Sequence, residues 1–343
     1  RSPEHHEPRQ GDTALSVRLV SVDWGTTSLR LKALDAKGGV AAERAGARGI
    51  LNCGEVAFAA VLCEELDALL DGQATDDGGA ALPVLMSGMI GSRQGWEEAA
   101  YLGCPAAPSD IAKALHVIDA RGAGLDGFDI RIVPGVDTDG GGSGAVPDVM
   151  RGEETQVLGV MILQGIGEGT FVIPGTHSKR IIVEGGRITG FRSFMTGELF
   201  AALLDHTILG RLAAGRAHDD DGFAQGVATA RSSHEAGAGP GDLMNLVFSA
   251  RTRVLAGGLR EGAVASYLSG LLIGVELMSH RTVLAGRRRD GQEGGGVWLI
   301  ADGVLGERYG RAAELAGLAV KRVEGEIVAS AHWVIAEQAG ILS

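Results

Sequence analysis

Short apolar runs alternate along this chain with Ala/Leu-rich stretches of helical spacing. In the first half Val17–Val22, Leu29–Leu34 and Val40–Ala47 read as three strands. Glu55–Leu70 then sets Val56, Ala59, Ala60, Cys63, Leu66 and Leu70 on one side of a helix. Pro83–Met86 is a short apolar strand that runs into Ser87-Gly88. The second half restarts the plan. Thr170–Ile173, Arg180–Val183 and Arg187–Phe194 predict strands, and Gly197–Leu204 and a long stretch near Ala263–Ala285 predict helices. A last strand, Gly296–Ile300, leads to a helix from about Glu307. Strands and helices that alternate in this way define an α/β chain.

The two halves also share a motif. Gly25-Thr26-Thr27-Ser28-Leu29-Arg30 and Gly175-Thr176-His177-Ser178-Lys179-Arg180 are both G-T-x-S-x-R. Each follows an apolar strand, opens another, and is succeeded by a Gly-Gly turn at Gly38-Gly39 or Gly185-Gly186. This predicts a structural repeat. A tight turn of Gly and Thr/Ser presents backbone N–H groups and hydroxyls at its tip, a concavity suited to anions. Singly, each is compatible with an ordinary hairpin. As a pair, Gly25, Thr26, Thr27 and Ser28 with Gly175, Thr176, His177 and Ser178 suit the phosphates of a nucleotide held from two sides of a cleft. Asp23 ends the first strand, where the second half has Ile173. A carboxylate at one turn alone suits a single Mg²⁺ on a triphosphate, reached through water; it also suits a local turn cap. No GxxxxGK[ST] occurs, and Gly165–Thr170 lacks the GxGxxG spacing, which excludes a P-loop and disfavours a Rossmann site.

The bulk numbers narrow the function. A length of 343 residues suits two domains, and 45% apolar residues supply a core in which aromatics, at 4%, play a small part. The 55 glycines follow no collagen period and read as tight connections. A net charge of −12 argues against a nucleic-acid partner or an anionic membrane surface, while leaving room for a small anionic substrate held by local arginines. Cys53, Cys63 and Cys104 show no metal or CxxC spacing and suit a reducing cytoplasm. The chain reads as having no apolar run of about twenty residues, so no membrane span is expected. Residues 1–16 read as a polar tail, 17–150 as a first lobe and 151–343 as a second, with a return of the C-terminal helix to the first as an alternative.

Asp23-Trp24-Gly25-Thr26-Thr27-Ser28-Leu29-Arg30 resembles the first phosphate motif of the sugar-kinase/actin/heat-shock ATPase superfamily. With SGMIGSRQGW (Ser87–Trp96), PDVMRGEETQVLG (Pro147–Gly159), PGTHSK (Pro174–Lys179) and FMTGELFAAL (Phe194–Leu203), the chain closely resembles the 2-dehydro-3-deoxygalactonokinase family. The resemblance runs from about residue 20 to 205, and more loosely through Ser266–Leu277 and Val297–Leu318. It implies two ribonuclease-H-like (actin-like ATPase) lobes around a central cleft. It also implies transfer of the ATP γ-phosphoryl group, with Mg²⁺, to the 6-hydroxyl of 2-dehydro-3-deoxy-D-galactonate in galactonate catabolism. Rival readings are a kinase for another sugar or sugar acid and a non-catalytic sensor of the same fold.

Phosphoryl transfer asks chiefly for positioning and charge neutralisation, with a base to accept the hydroxyl proton. Gly152-Glu153 resembles the Gly-Asp segment of related carbohydrate kinases, which places Glu153 at the catalytic acid. Glu154 and Asp148 are the alternatives, and acids in a helix's first turn are favourable in any case. Arg93 is a fork-shaped anchor for the substrate carboxylate. Ser87, Met89 and Trp96 line the same pocket, although Trp96 equally suits packing. Arg151 suits the substrate, a phosphate or a neighbouring acid. Lys179 and Arg180 are near the γ-phosphate if the second turn holds it. Ala301-Asp302-Gly303 departs from the small residues usual after the last strand, so Asp302 and Gly303 either meet the ribose or reshape the nucleoside pocket. A homodimer is a base-rate expectation.

Overall fold

The computed structural model describes residues 16–53, 56–74, 81–139, 146–237, 239, 242–289, 296–323 and 325–342, with side chains over 282–289 left aside. The expected N-terminal tail, but for Ser16, lies outside these residues. In chain order, β1 (Val17–Trp24), β2 (Leu29–Asp35) and β3 (Val40–Gly46) lead to α1 (Phe58–Leu70) and β4 (Leu82–Ser87). Then come β5 (Tyr101–Gly103), α2 (Pro108–Lys113), β6 (His116–Val117), β7 (Phe128–Ile132), β8 (Gly135–Thr138) and β9 (Asp148–Met150). The middle of the chain runs α3 (Glu153–Gln164), β10 (Gly169–Ile173), β11 (Ser178–Glu184), β12 (Arg187–Phe194), α4 (Thr196–His206) and α5 (Ile208–Leu212). It ends with α6 (Asp220–Glu235), α7 (Asp242–Leu255), α8 (Val264–Arg289), β13 (Val297–Ile300), α9 (Gly303–Ala316), β14 (Val320–Val323) and α10 (Ile327–Ala339).

Two compact units result. The first comprises Arg1–Ala100, Pro108–Gly135 and Val328–Ser343; the second comprises Tyr101–Ala107 and Val136–Ile327. Local pairing explains why Tyr101–Ala107 and the stretch from Val136 fall with the second unit. Ala106 bridges Ile188, Arg187 donates to the Pro105 carbonyl, and β5, β8 and β9 form their own small sheet.

Five strands of the first main sheet match the five of the second, and β6 is an addition at one edge of the first. Their orders are β3-β2-β1-β4-β7-β6 and β12-β11-β10-β13-β14. In each, the first three strands form an antiparallel meander. The fourth and fifth add parallel to the first. This is the ribonuclease-H-like pattern, twice. The repeat extends to topology but not to register: Arg30 stands opposite Asp23, whereas Arg180 stands opposite Val172.

β1 is buried on both faces from Leu19 to Val22, as befits a strand in the middle of its sheet, with only Arg18 and Asp23 less buried. Val20, Val22 and Trp24 pack with Val61, Leu62 and Leu66 of α1. On the other face Ser21 Oγ meets His332 Nδ1 of α10 at 2.8 Å. Burial pushes His332 down to about 3, so the ring is neutral and structural. In the second unit α8 is the core helix. The stretch Glu261–Arg281 is long and apolar enough to cross a membrane, but most of it is buried within the protein. An apolar stretch of that length, unexpected from the sequence, thus serves packing.

Candidate active site

The first turn is made rigid from beneath. The Gly25 N–H donates to the Ser28 carbonyl at 2.9 Å, while Ile50 and Leu51 N–H groups donate to the Gly25 and Thr26 carbonyls. Asn52 Nδ2 donates to the Thr27 carbonyl. Gly49 lies directly under the turn. A Cβ there would stand 2.3 Å from Thr27 N and 2.4 Å from the Thr26 carbonyl carbon, so no side chain is tolerated. Thr26 and Thr27 remain exposed at the tip.

Asp23 lies one strand position before this turn region and registers with Ser87 on β4. Its carboxylate is a quarter exposed, and Arg30 Nη1 donates to Oδ2 at 3.2 Å. Burial raises the Asp23 carboxyl, against the opposing pull of Arg30. Gly88, at φ 95°, brings its backbone close to Asp23 and Trp24; a Cβ there would meet the Trp24 carbonyl oxygen at 2.8 Å. Ser87 Oγ is buried and has no hydrogen-bond partner among the described residues. Met89 and Trp96 pack partly buried against the first unit's core, which favours the packing role for Trp96. Arg93 is exposed and donates through Nε to Glu98 at 2.9 Å.

The second unit gathers more of the expected residues. Its turn is also seated on a glycine: a Cβ on Gly197 would stand 2.5 Å from the Gly175 carbonyl oxygen and 2.9 Å from Thr176 Cα. The Glu198 N–H donates to the Thr176 carbonyl at 3.0 Å, docking the start of α4 on the turn. Thr176 and His177 are exposed, and His177 Nε2 pairs with Glu198 Oε2 at 2.5 Å. Ser178 departs from the expected pattern. Its side chain is fully buried and donates to Glu276 at 2.6 Å, so its hydroxyl serves the core and not the surface of the turn.

Glu153 and Glu154 open α3 and have different surroundings. Glu154 is fully buried and folds back to accept from the Gly152 N–H at 2.7 and 2.9 Å and from Thr155 Oγ1 at 3.0 Å. Burial, reinforced by the neighbouring Glu153, pushes it up to about 8. Glu153 is half-buried and accepts from the Arg151 N–H at 3.1 Å. Burial raises its carboxyl too, while Lys179 and His177 pull it down. Lys179 is itself held in place: Nζ donates to Ser193 Oγ at 2.6 Å, and Ser193 donates through N and Oγ to Asp148 at 2.6 and 2.7 Å. Asp148 is therefore committed to the backbone and hydroxyl of Ser193. Arg151 is buried, its guanidinium 4.4 Å from the centre of the Tyr101 ring.

The last turn carries Asp302 as the N-cap of α9, with no side-chain cap hydrogen bond, followed by Gly303 at φ 55°. Both are exposed, as are Val304 and Leu305 beside them. Sequence reasoning missed Gly49, Gly197, Glu198 and Glu276. Gly197 and Glu198 lie within FMTGELFAAL, so the motif itself held that signal.

Two ribonuclease-H-like sheets, each with a Gly-Thr turn after its first strand, define the actin-like fold class. The chain matches the family model for 2-keto-3-deoxy-galactonokinase over residues 23–335 and belongs to that family. A Rhizobium meliloti (strain 1021) protein designated probable 2-dehydro-3-deoxygalactonokinase is 37% identical over 308 residues, spanning 89% of this chain and 92% of the relative. The Escherichia coli (strain K12) 2-dehydro-3-deoxygalactonokinase is 31% identical over 312 residues, spanning 91% and 94%. A crystal structure from Sinorhizobium meliloti with the same kinase designation superposes with a TM-score of 0.78 at 36% identity, covering 93% of this chain and 98% of that chain. The enzymatic class is thus phosphotransfer from ATP to a sugar acid.

Proposed function

We propose that this protein transfers the γ-phosphoryl group of ATP to the 6-hydroxyl of 2-dehydro-3-deoxygalactonate, giving 2-dehydro-3-deoxy-6-phosphogalactonate. The O6–H proton passes to the Glu153 carboxylate, the O6–Pγ bond forms, and the bond from Pγ to the bridging oxygen breaks to release ADP. The observation that carries this reading is the contrast at the start of α3. Glu154 is locked into the fold, whereas Glu153 is less buried and stands beside the Lys179 ammonium. Its raised carboxyl is a better proton acceptor than an ordinary glutamate.

The turns Gly25–Ser28 and Gly175–His177 are the phosphate contacts in this reading. Asp302 and Gly303 meet the ribose, with Val304 and Leu305 as an apolar bed for the purine. Arg93 holds the substrate carboxylate, with Ser87, Met89 and Trp96 behind it and Arg151 supporting the turn that carries Glu153. Among the described residues no group of three or more His, Cys, Asp or Glu forms a metal cage. Asp23 would meet, through water, a Mg²⁺ ion carried on the phosphates. When bound, the ion neutralises charge on the β- and γ-phosphates.

The experiment is ATP turnover, followed as ADP release, against a panel of 2-keto-3-deoxy acids and neutral sugars. The galactonate derivative is expected to give the highest kcat/KM, and a neutral sugar outranking every acid would overturn the assignment.

A pH dependence follows from the same geometry. Because burial raises the Glu153 carboxyl, the acid limb of kcat/KM lies above the ordinary glutamate range. Lys179 lowers that carboxyl, so Lys179→Met raises it and moves the acid limb to higher pH. A pH–rate profile checks this; a limb that stays put, or moves to lower pH, separates Lys179 from Glu153.

A further inference from the structure

Glu276 lies in the middle of α8, fully buried. Its carboxylate accepts three hydroxyl donors from three other elements: Ser178 Oγ at 2.6 Å, Thr196 Oγ1 at 2.5 Å and Tyr309 Oη at 2.7 Å. These lengths are those of charge-assisted O–H···O⁻ bonds. His280 Nε2 lies 3.6 Å away, but burial lowers its pKa and favours the neutral ring. Arg180 is nearby and donates to the Ser279 carbonyl. A buried carboxylate is costly unless its oxygens are fully used, so this cluster holds its geometry tightly.

In the reading given above, each donor sits beside a segment assigned to the nucleotide. Ser178 ends the turn Gly175–His177. Thr196 is the first residue of α4, whose next two residues, Gly197 and Glu198, seat that turn. Tyr309 is on α9, the helix that begins at Gly303 after β13. We propose that Glu276 is a positioning residue for ATP, fixing the phosphate turn and the nucleoside-side helix of the second unit to one point. The inference rests on the reading of Gly175–His177 as a phosphate contact.

The test uses Thr196→Val and Tyr309→Phe, each of which deletes one hydroxyl at nearly constant shape, in the full chain. Binding of a non-hydrolysable ATP analogue is measured by calorimetry well below the melting midpoint of the least stable variant. Each is expected to weaken the analogue about tenfold, near the lower end of what one hydrogen bond to a charged group is worth, with KM for the sugar acid unchanged. The two losses combine less than additively because both act through Glu276. Glu276→Gln, which keeps one acceptor oxygen, stays closer to wild type than Glu276→Met, which keeps none. Wild-type affinity in the hydroxyl variants, or equal losses for analogue and sugar acid, overturns the proposal. Thr176→Ala, His177→Ala and the double variant separate the two layers. If they leave analogue binding intact, the phosphate-turn reading has failed, and the positioning role fails with it. If they weaken binding while the hydroxyl variants do not, only the role of Glu276 falls.

Discussion

Glu153→Gln lowers kcat by about 10²–10⁴-fold, the usual contribution of a general base, while calorimetric binding of both substrates survives. The amide keeps the size of the side chain and can still accept from the Arg151 N–H, but it cannot take the hydroxyl proton. Glu154→Gln gives the contrasting result. Glu154 is fully buried and bonded to Gly152 and Thr155, so its replacement acts on stability and the shape of the α3 start before it acts on chemistry. Steady-state kinetics on both variants, with melting curves alongside, distinguishes them. A near-wild-type kcat for Glu153→Gln with a collapsed kcat in a folded Glu154→Gln would move the base by one residue.

Asp23→Asn has the second-largest expected effect, a fall in turnover on the order of 10²-fold from loss of a charge aimed at the transferring phosphates. Folding is little changed, because the ion pair it breaks has a mostly exposed arginine partner. The loss is greatest at limiting Mg²⁺ and is partly recovered as Mg²⁺ rises. A folded variant with unchanged kinetics at limiting Mg²⁺ would take Asp23 out of the site.

Some of this was legible in the chain and some was not, for physical reasons. The meander strands announce themselves because they are apolar and end at Gly-rich turns; Arg187–Phe194 is bounded identically by pattern and by structure. The strands of the small sheet are three or four residues long, too short for a period to register. α6 carries a polar exposed face that hides its helix. Gly226 and Gly270 lie inside α6 and α8, where a glycine costs helix propensity. A Cβ on either would stand 2.1 Å from the Tyr267 or Phe223 carbonyl oxygen of the facing helix, so they let the two backbones touch. At the site, sequence spacing could not choose between adjacent glutamates, because the choice depends on which one folds back to the Gly152 N–H. Nor could it find Glu276, whose partners are 98, 80 and 33 residues away along the chain. The inward turn of Ser178 is the same fact seen from the motif.

The most direct measurement is nuclear magnetic resonance of the product formed from ATP and 2-dehydro-3-deoxygalactonate, correlating phosphorus with carbon-bound protons. The predicted result is one new phosphomonoester coupled to the C6 protons, formed in step with ADP. Phosphate on another carbon, free phosphate alone, or ATP left unconsumed would contradict the account.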